Sequence, residues 1–124
     1  MLAYWSQTKR FIPLFSFLFL FTLHTVIGQL TVAPLFNDHA VLQRNKPVAI
    51  WGWAKAGSKI SVSIAGKTAQ ATTPKNGKWM ASLPAMAGGG PYELTIKSEA
   101  ETLSFTDVWL GEVWLCSGQS NMEW

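Results

Sequence analysis

Apolar and polar residues alternate along much of the chain with the period of two that characterises a half-buried β-strand. In KISVSIA, Ile60, Val62 and Ile64 point to one face while the intervening serines point to the other. The same alternation recurs in four further stretches, which read VAIWGWA, KWMASLP, YELTIK and TLSFT. With a partner strand in TAQAT, this predicts about six or seven short strands separated by turn signals roughly every 8 to 12 residues. The spacing is typical of an all-β fold, an antiparallel β-sandwich of the jelly-roll or immunoglobulin-like (Ig-like) type.

Glycine, asparagine and proline mark the turns between these strands. Asn76-Gly77 predicts a tight turn of type I′, because both central residues of that turn need a positive φ. The stretch AGGGP, residues 87–91, predicts a flexible connection. Residues 30–47 predict one short strand among turns, with His39 on the surface of one of those turns.

The stretch DVWLGEVWLCSG departs from the alternation. Between Val108 and Cys116 both faces are apolar apart from Glu112, which predicts a strand buried on both sides, as in the parallel sheet of an α/β domain. The expected domains are therefore a sandwich over residues 29–106 and the truncated start of a second domain over residues 107–124. Cys116 is the single cysteine, and we expect it to be buried as a small apolar residue.

The first 28 residues have the organisation of a secretory signal peptide. Lys9 and Arg10 precede an almost wholly apolar run, and small residues lie just before Gln29, where cleavage is expected. An uncleaved membrane anchor is the alternative, although Pro13 and His24 interrupt the run. The sequence thus predicts a secreted or periplasmic protein with no membrane segment after cleavage.

Removing the signal also changes the charge. The whole chain carries a formal +3, but without Lys9 and Arg10 eight basic residues face seven acidic ones. The remaining lysines are spread along the chain rather than clustered, as a nucleic-acid-binding surface would require. We therefore expect no nucleic-acid partner.

Ser120 is the candidate nucleophile, because a serine just after a buried strand can be presented at a sharp turn. Gly118 permits such a turn, and Gln119 or Asn121 could shape it or donate hydrogen bonds to an oxyanion. The alternative is that Ser120 only caps a helix, since Glu123 completes an S-x-x-E capping box. A nucleophilic serine also needs a base and an acid that orients the base, and the mature sequence offers only His39.

The final block, GEVWLCSGQSNMEW, resembles the nucleophile block of the sialate O-acetylesterase family, which are carbohydrate acetylesterases of the SGNH-hydrolase type. APLFNDHAVLQRNKPVAIWGWA and NGKWMASLPAMAGGGPYELTI resemble the N-terminal β-sandwich of the same family. The resemblance implies that Ser120 is the nucleophile, that its backbone N–H is one oxyanion donor, and that the substrate is an O-acetylated carbohydrate. It implies neither metal nor cofactor.

The same resemblance implies that essential parts of the site are missing. The family's other oxyanion donors and its Asp-x-x-His pair come from later blocks that have no counterpart in these 124 residues. The chain is thus predicted to be an N-terminal fragment that contains the first strand of a truncated SGNH-hydrolase domain and is inactive alone. We expect Trp109, Trp114 and Leu115 to be exposed and to favour aggregation.

Two other functions stay open from the sequence. Trp51, Trp53 and Trp79 could form a surface for a carbohydrate or a protein, which would make the sandwich a non-catalytic binding module. Packing within the core or between domains is the alternative role of these tryptophans. A structural module without a ligand is also compatible with the sequence, which does not indicate an oligomeric state.

Overall fold

The computed structural model describes residues 28–116, and this part of the chain is built from β-strands. The eight strands in it are β1 Thr31–Val32, β2 Val41–Gln43, β3 Val48–Trp53, β4 Lys59–Ile64, β5 Lys67–Thr72, β6 Lys78–Leu83, β7 Gly89–Lys97 and β8 Thr102–Gly111. The all-β prediction is confirmed for these residues. No helix long and apolar enough to cross a bilayer occurs between residues 28 and 116.

The strands form two sheets. The smaller sheet has the order β1-β3-β6, and the larger has the order β2-β8-β7-β4-β5. Neighbouring strands are antiparallel except for β2 and β8, which run parallel. The expectation of a purely antiparallel fold is therefore wrong for this one pair, because β2 is separated from β8 by the rest of the domain and is not joined to it by a hairpin. The jelly-roll or Ig-like assignment stays a prediction.

The hydrophobic core contains the inward residues of both sheets. Ile60, Val62 and Ile64 are buried while the serines between them are half-buried, which confirms the alternation predicted for β4. Gly52 on β3 lets the short β1 approach closely, since a Cβ at position 52 would lie 2.0 Å from the carbonyl oxygen of Thr31. The core residues are Leu30, Ala33, Phe36, Ala40, Leu42, Val48, Ile50, Ala54, Ile60, Val62, Ile64, Trp79, Ala81, Leu83, Met86, Leu94, Ile96, Val108 and Leu110.

The turn at Asn76-Gly77 exists, but it is not of type I′. Only Gly77 has a positive φ, of 78°, and its N–H donates to the carbonyl of Pro74 at 3.0 Å. The turn carries the chain from β5 in the larger sheet to β6 in the smaller one, so it does not have to match the twist of a two-stranded hairpin. Nearby, β7 begins at Gly89, so residues 89–91 belong to a strand and not to the expected flexible connection.

The boundary expected near Thr106 falls inside β8, which continues unbroken to Gly111. Up to Phe105 the odd-numbered residues of β8 face inward, whereas Val108 and Leu110 are the buried residues afterwards. The change occurs at Asp107, where φ is +55° and the register with β7 gains one residue on β8, forming a β-bulge. The run expected to be buried on both faces is therefore a continuation of the sandwich sheet as far as Gly111.

Trp79 is the largest side chain that is fully buried in the described residues. Its indole N–H has no hydrogen-bond acceptor among residues 28–116, so its contribution comes from packing. We expect Trp79→Ala to lower the free energy of unfolding by about 3–5 kcal/mol through the cavity it leaves. Trp79→Phe should cost clearly less, because it keeps most of the ring volume and removes an unpaired donor.

Urea unfolding of residues 28–124, followed by circular dichroism, measures both changes. Trp53→Ala is the control, because Trp53 is 45% exposed and its truncation should cost much less than that of Trp79. Equal losses for Trp79→Ala and Trp53→Ala would contradict a core organised around Trp79.

Candidate functional site

The predicted catalytic residues lie just beyond the described part of the chain. Ser120 and the predicted positioning residues Gly118, Gln119 and Asn121 all fall outside residues 28–116, and so does the predicted signal apart from Gly28. The structure instead describes the residues that precede them, which are the end of β8 and residues 112–116. It also describes a hydrogen-bonded cluster of one carboxylate and two ring side chains beside the β8 bulge.

The chain leaves the sheet along a path fixed by side chains of β2 and the residue after it. The backbone N–H of Arg44 donates to the carbonyl of Gly111 at 2.9 Å, and Arg44 Nε donates to Glu112 Oε1 at 2.6 Å. Gln43 Nε2 donates to the other carboxylate oxygen of Glu112 at 3.1 Å, while Gln43 Oε1 accepts from the N–H of Val113 at 3.1 Å. The hydrogen bonds from Arg44 and then Gln43 lower the pKa of Glu112. The backbone is thus held for two residues beyond the last strand.

The side chains of residues 113–116, which follow these hydrogen bonds, are exposed. Trp114 is 83% and Leu115 95% exposed, and Trp109 on β8 is 43% exposed, which confirms the exposure predicted for all three. Cys116 is also exposed, so the expectation that it is buried is wrong. The physical reason is that the strand ends at Gly111, and the following residues have no second layer over them within the described structure.

A three-residue cluster lies on the bulge of β8. Asp107 Oδ2 is 2.6 Å from Nδ1 of His39, and Asp107 Oδ1 accepts a hydrogen bond of 2.8 Å from the indole N–H of Trp109. His39 and Asp107 both have a positive φ, of 66° and 55°. The predicted surface position of His39 is confirmed, since its side chain is 76% exposed.

The backbone around this cluster is tied by the preceding turn residue. Asp38 Oδ1 accepts from the backbone N–H of Thr106 at 2.7 Å, and the N–H of His39 donates to the carbonyl of Thr106 at 3.1 Å. The N–H of Trp109 then donates to the carbonyl of Ala40 at 2.9 Å, which starts the parallel pairing with β2. The turn at residues 37–39 therefore supplies hydrogen-bond partners for backbone groups that the bulge takes out of the β7–β8 ladder.

The His39–Asp107 pair is a structural clamp. An Asp–His pair can orient a general base, but within residues 28–116 the imidazole makes its side-chain hydrogen bond to Asp107, and no hydroxyl group joins it. The Asp107 carboxylate divides its two oxygens between His39 and Trp109 and so fixes both rings on the surface. Sequence analysis missed this clamp, because its partners are 68 residues apart.

No metal centre is formed in the described residues, where no three His, Cys, Asp or Glu side chains come close enough to hold an ion. The three tryptophans considered for ligand binding do not share one surface. Trp79 is buried in the core, whereas Trp51 and Trp53 lie on the opposite face of the smaller sheet. Trp51 packs edge-to-face against the buried Phe36, with ring centroids 4.9 Å apart, and this leaves Trp53 as the exposed member.

The clamp should stabilise the sandwich within a definite pH range. The hydrogen bond to Asp107 raises the pKa of His39, and the hydrogen bond from His39 lowers the pKa of Asp107. The raised His39 pKa contributes stability that is full below about pH 6.5 and is lost as pH rises through the raised value. The lowered Asp107 pKa contributes stability that is full above about pH 3.9 and is lost as pH falls through the lowered value.

We therefore expect the clamp to stabilise the folded sandwich most between about pH 4 and pH 6.5. Proton NMR titration of His39 in residues 28–124 should give a raised pKa that returns toward its ordinary value in Asp107→Asn. Asparagine tolerates a positive φ, so this variant removes the charge and spares the backbone. An unchanged His39 pKa in Asp107→Asn would contradict the clamp, and His39→Asn is the matched control for the melting temperature at pH 5 and pH 8.

Comparison with known proteins finds relatives of this chain among the sialate O-acetylesterases. The sialate O-acetylesterase of Rattus norvegicus is 38% identical over 103 residues, which cover 73% of this chain and 19% of the rat protein. The sialate O-acetylesterase of Homo sapiens is 36% identical over 104 residues, which cover 73% of this chain and 20% of the human protein. No model of a protein family matches the chain.

A solved structure agrees with these relatives. The crystal structure of a carbohydrate acetylesterase from Xanthomonas citri superposes with a TM-score of 0.71 at 45% identity, covering 76% of this chain and 22% of that one. The chain spans about one fifth of the length of the curated relatives it matches. By sequence and by fold, this chain is a member of the sialate O-acetylesterase-like family.

Proposed function

We propose that this chain is the N-terminal part of a secreted or periplasmic serine esterase that removes O-acetyl groups from carbohydrates. The observation that carries the proposal is the 45% identity between this sandwich and a carbohydrate acetylesterase, combined with the GQSN block that directly follows the sandwich. In this proposal the jelly-roll or Ig-like sandwich supports an SGNH-type hydrolase domain that starts after it and contains Ser120.

The geometry of the chain exit supports this role. The Arg44–Glu112 ion pair and the two hydrogen bonds of Gln43 hold the backbone seven residues before Ser120. A nucleophile must lie within about 3–3.5 Å of the carbonyl it attacks, so a fixed approach of its segment is an advantage. The sandwich therefore acts as a rigid base from which the nucleophile segment starts.

The proposed chemistry is acyl transfer. The hydroxyl of Ser120 attacks the acetyl carbonyl, and hydrogen-bond donors stabilise the oxyanion that forms. The backbone N–H of Ser120 is one such donor, and Gly118, Gln119 and Asn121 shape the turn around it. The intermediate collapses as the bond between the acetyl carbon and the sugar oxygen breaks, and the sugar leaves as an alcohol with the proton that the base took from Ser120. Water, deprotonated by the same base, then hydrolyses the acetyl-serine, which releases acetate and restores the Ser120 hydroxyl.

The base for this reaction is proposed to come from the family's Asp-x-x-His pair, which these 124 residues lack. His39 is unsuited to that task, because its Nδ1 is engaged by Asp107 in a surface clamp that serves the sandwich. On this account the 124-residue chain supplies a nucleophile without its base, which explains why we propose that it is inactive alone.

The longer protein proposed above, expressed from the source gene and called full-length here, tests the role of Ser120. Ser120→Ala should reduce hydrolysis of p-nitrophenyl acetate by about 10³-fold or more, since removing a nucleophile leaves only oxyanion stabilisation and binding. Ser117→Ala is the matched control three residues earlier and should retain most of the activity. Full activity in Ser120→Ala would remove Ser120 from the proposed role.

The 124-residue chain itself should not hydrolyse acetyl esters above the rate of a denatured sample. The assay uses p-nitrophenyl acetate and an acetylated xylan oligosaccharide, with release of acetate as the readout. Ser120-dependent turnover by this chain would show that the base lies within it and would overturn the proposed division of the site.

A non-catalytic sandwich that binds carbohydrate is the competing function, and Trp53 favours it as the exposed member of Trp51, Trp53 and Trp79. Titration of residues 28–124 with sialic acid and xylan oligosaccharides, followed by tryptophan fluorescence, distinguishes the two functions. Saturable quenching that disappears in Trp53→Ala would support the binding module.

A further inference from the structure

We propose that one face of the sandwich is a docking surface for the polypeptide that follows Cys116, so that the catalytic part packs against the sandwich and is not merely tethered to it. This exit face consists of Val41, Trp109, Val113, Trp114 and Leu115, all of which are exposed. The inference rests on the proposed function, which supplies the longer protein.

Trp109 is the fixed anchor of the exit face. Its indole N–H is held by Asp107 at 2.8 Å, and one side of its ring lies against the backbone of Gly90. A Cβ at position 90 would come within 2.9 Å of Cδ2 and Cε3 of Trp109, so the glycine provides the space that the ring occupies. A ring held in this way loses little conformational entropy when a partner covers it.

The other members lie across the sheet from this anchor or shortly after it in the chain. Val41 is in register with Trp109 across the parallel pair of β2 and β8, and it is 49% exposed. The chain then leads from β8 directly to Val113, Trp114 and Leu115, with exposures rising from 51% to 95%. Large apolar side chains exposed together at one end of a domain indicate an interaction site, because soluble proteins rarely leave such a group uncovered.

The connection of the chain identifies the occupant. Arg44 and Gln43, at the end of β2, bind Glu112 and Val113 through an ion pair and hydrogen bonds, so the polypeptide after Cys116 starts next to the exit face. A covalently attached partner has an effective concentration in the millimolar range, which favours it over a separate molecule. The relatives are about five times as long as the matched segment, so they have the polypeptide that could cover this face.

A carbohydrate is the less suitable occupant. Sugar sites combine an aromatic face with polar groups that are free to bind hydroxyls, but here the Trp109 indole N–H and the Asp107 carboxylate bind each other and His39. The downstream members Val113, Trp114 and Leu115 add apolar surface that a sugar would leave partly uncovered.

Carbene footprinting with mass spectrometry compares the full-length protein with the 124-residue chain. We expect labelling of Trp109, Trp114 and Leu115 to fall at least about threefold in the full-length protein, because the docked domain excludes the reagent. Trp53 is the matched control, since its 45% exposure equals that of Trp109 within a few per cent and it lies on the other sheet.

Calorimetry of the full-length protein provides the second measurement. Docked domains unfold in one coupled transition, and Trp109→Ser or Trp114→Ser should separate it into two, whereas Trp53→Ser should leave it coupled. Equal labelling of the exit face in both proteins, together with two transitions in the unsubstituted protein, would overturn the proposal. Protection that rises with the concentration of the 124-residue chain alone would assign the face to a second copy and would also overturn it.

Both readouts are independent of ester cleavage. Ser120→Ala full-length protein should therefore show the same protection and the same coupled transition as the unsubstituted protein. Protection in a protein without acetylesterase activity would contradict the proposed function and leave the docking surface supported. Acetylesterase activity without protection would contradict the docking surface alone.

Discussion

The arrangement of this end of the sandwich depends on one backbone conformation, the positive φ of Asp107. A strand normally presents every second residue to the core, and a single residue in the left-handed region shifts that pattern by one. Here the shift allows Leu103 and Phe105 on one side of the bulge, and Val108 and Leu110 on the other, to face the same core. Without it, one half of β8 would turn its outward residues, such as Ser104 or Trp109, to the interior.

The bulge also determines what lies on the surface. It turns Trp109 outward, and the Asp107 side chain then holds the Trp109 indole on one oxygen and the His39 imidazole on the other. Asp38 accepts from the backbone N–H of Thr106 and so satisfies a donor beside the irregular position. One local distortion thereby connects the turn at residues 37–39, the parallel pairing of β2 with β8, and the direction in which the chain leaves the sheet.

The sequence predicted the regular parts of this structure well, because they follow from local periodicity. The inward residues of β3, β4, β6 and the second half of β7 are those the alternation indicated, and the all-β class follows from them.

The alternation did not predict the bulge. Trp109 is apolar and adjacent to Val108, so both faces of this part of the strand look apolar in the sequence. Two local signals were present in retrospect: the polar Asp107 between apolar residues, and the change from odd to even apolar positions across it. The Asp107–His39 contact had no local signal, since only the fold brings residues 68 positions apart together. The candidate nucleophile, Ser120, was identified from the GQSN motif. The base and acid proposed for it could not be identified, because these 124 residues contain no Asp-x-x-His pair.

The parallel pairing of β2 with β8 has a consequence for the order in which the molecule is completed. β2 contains the third to fifth residues after Asp38, yet its neighbour in the sheet ends only at Gly111. A strand pair separated by that much chain forms late, because the loop between its members must be closed first. During folding, β2 therefore stays unpaired until most of the domain between it and β8 has formed, and its pairing with β8 completes the larger sheet. The same late pairing brings Gln43 and Arg44 to Glu112 and Val113, so completion of the sheet and fixation of the chain exit are one event.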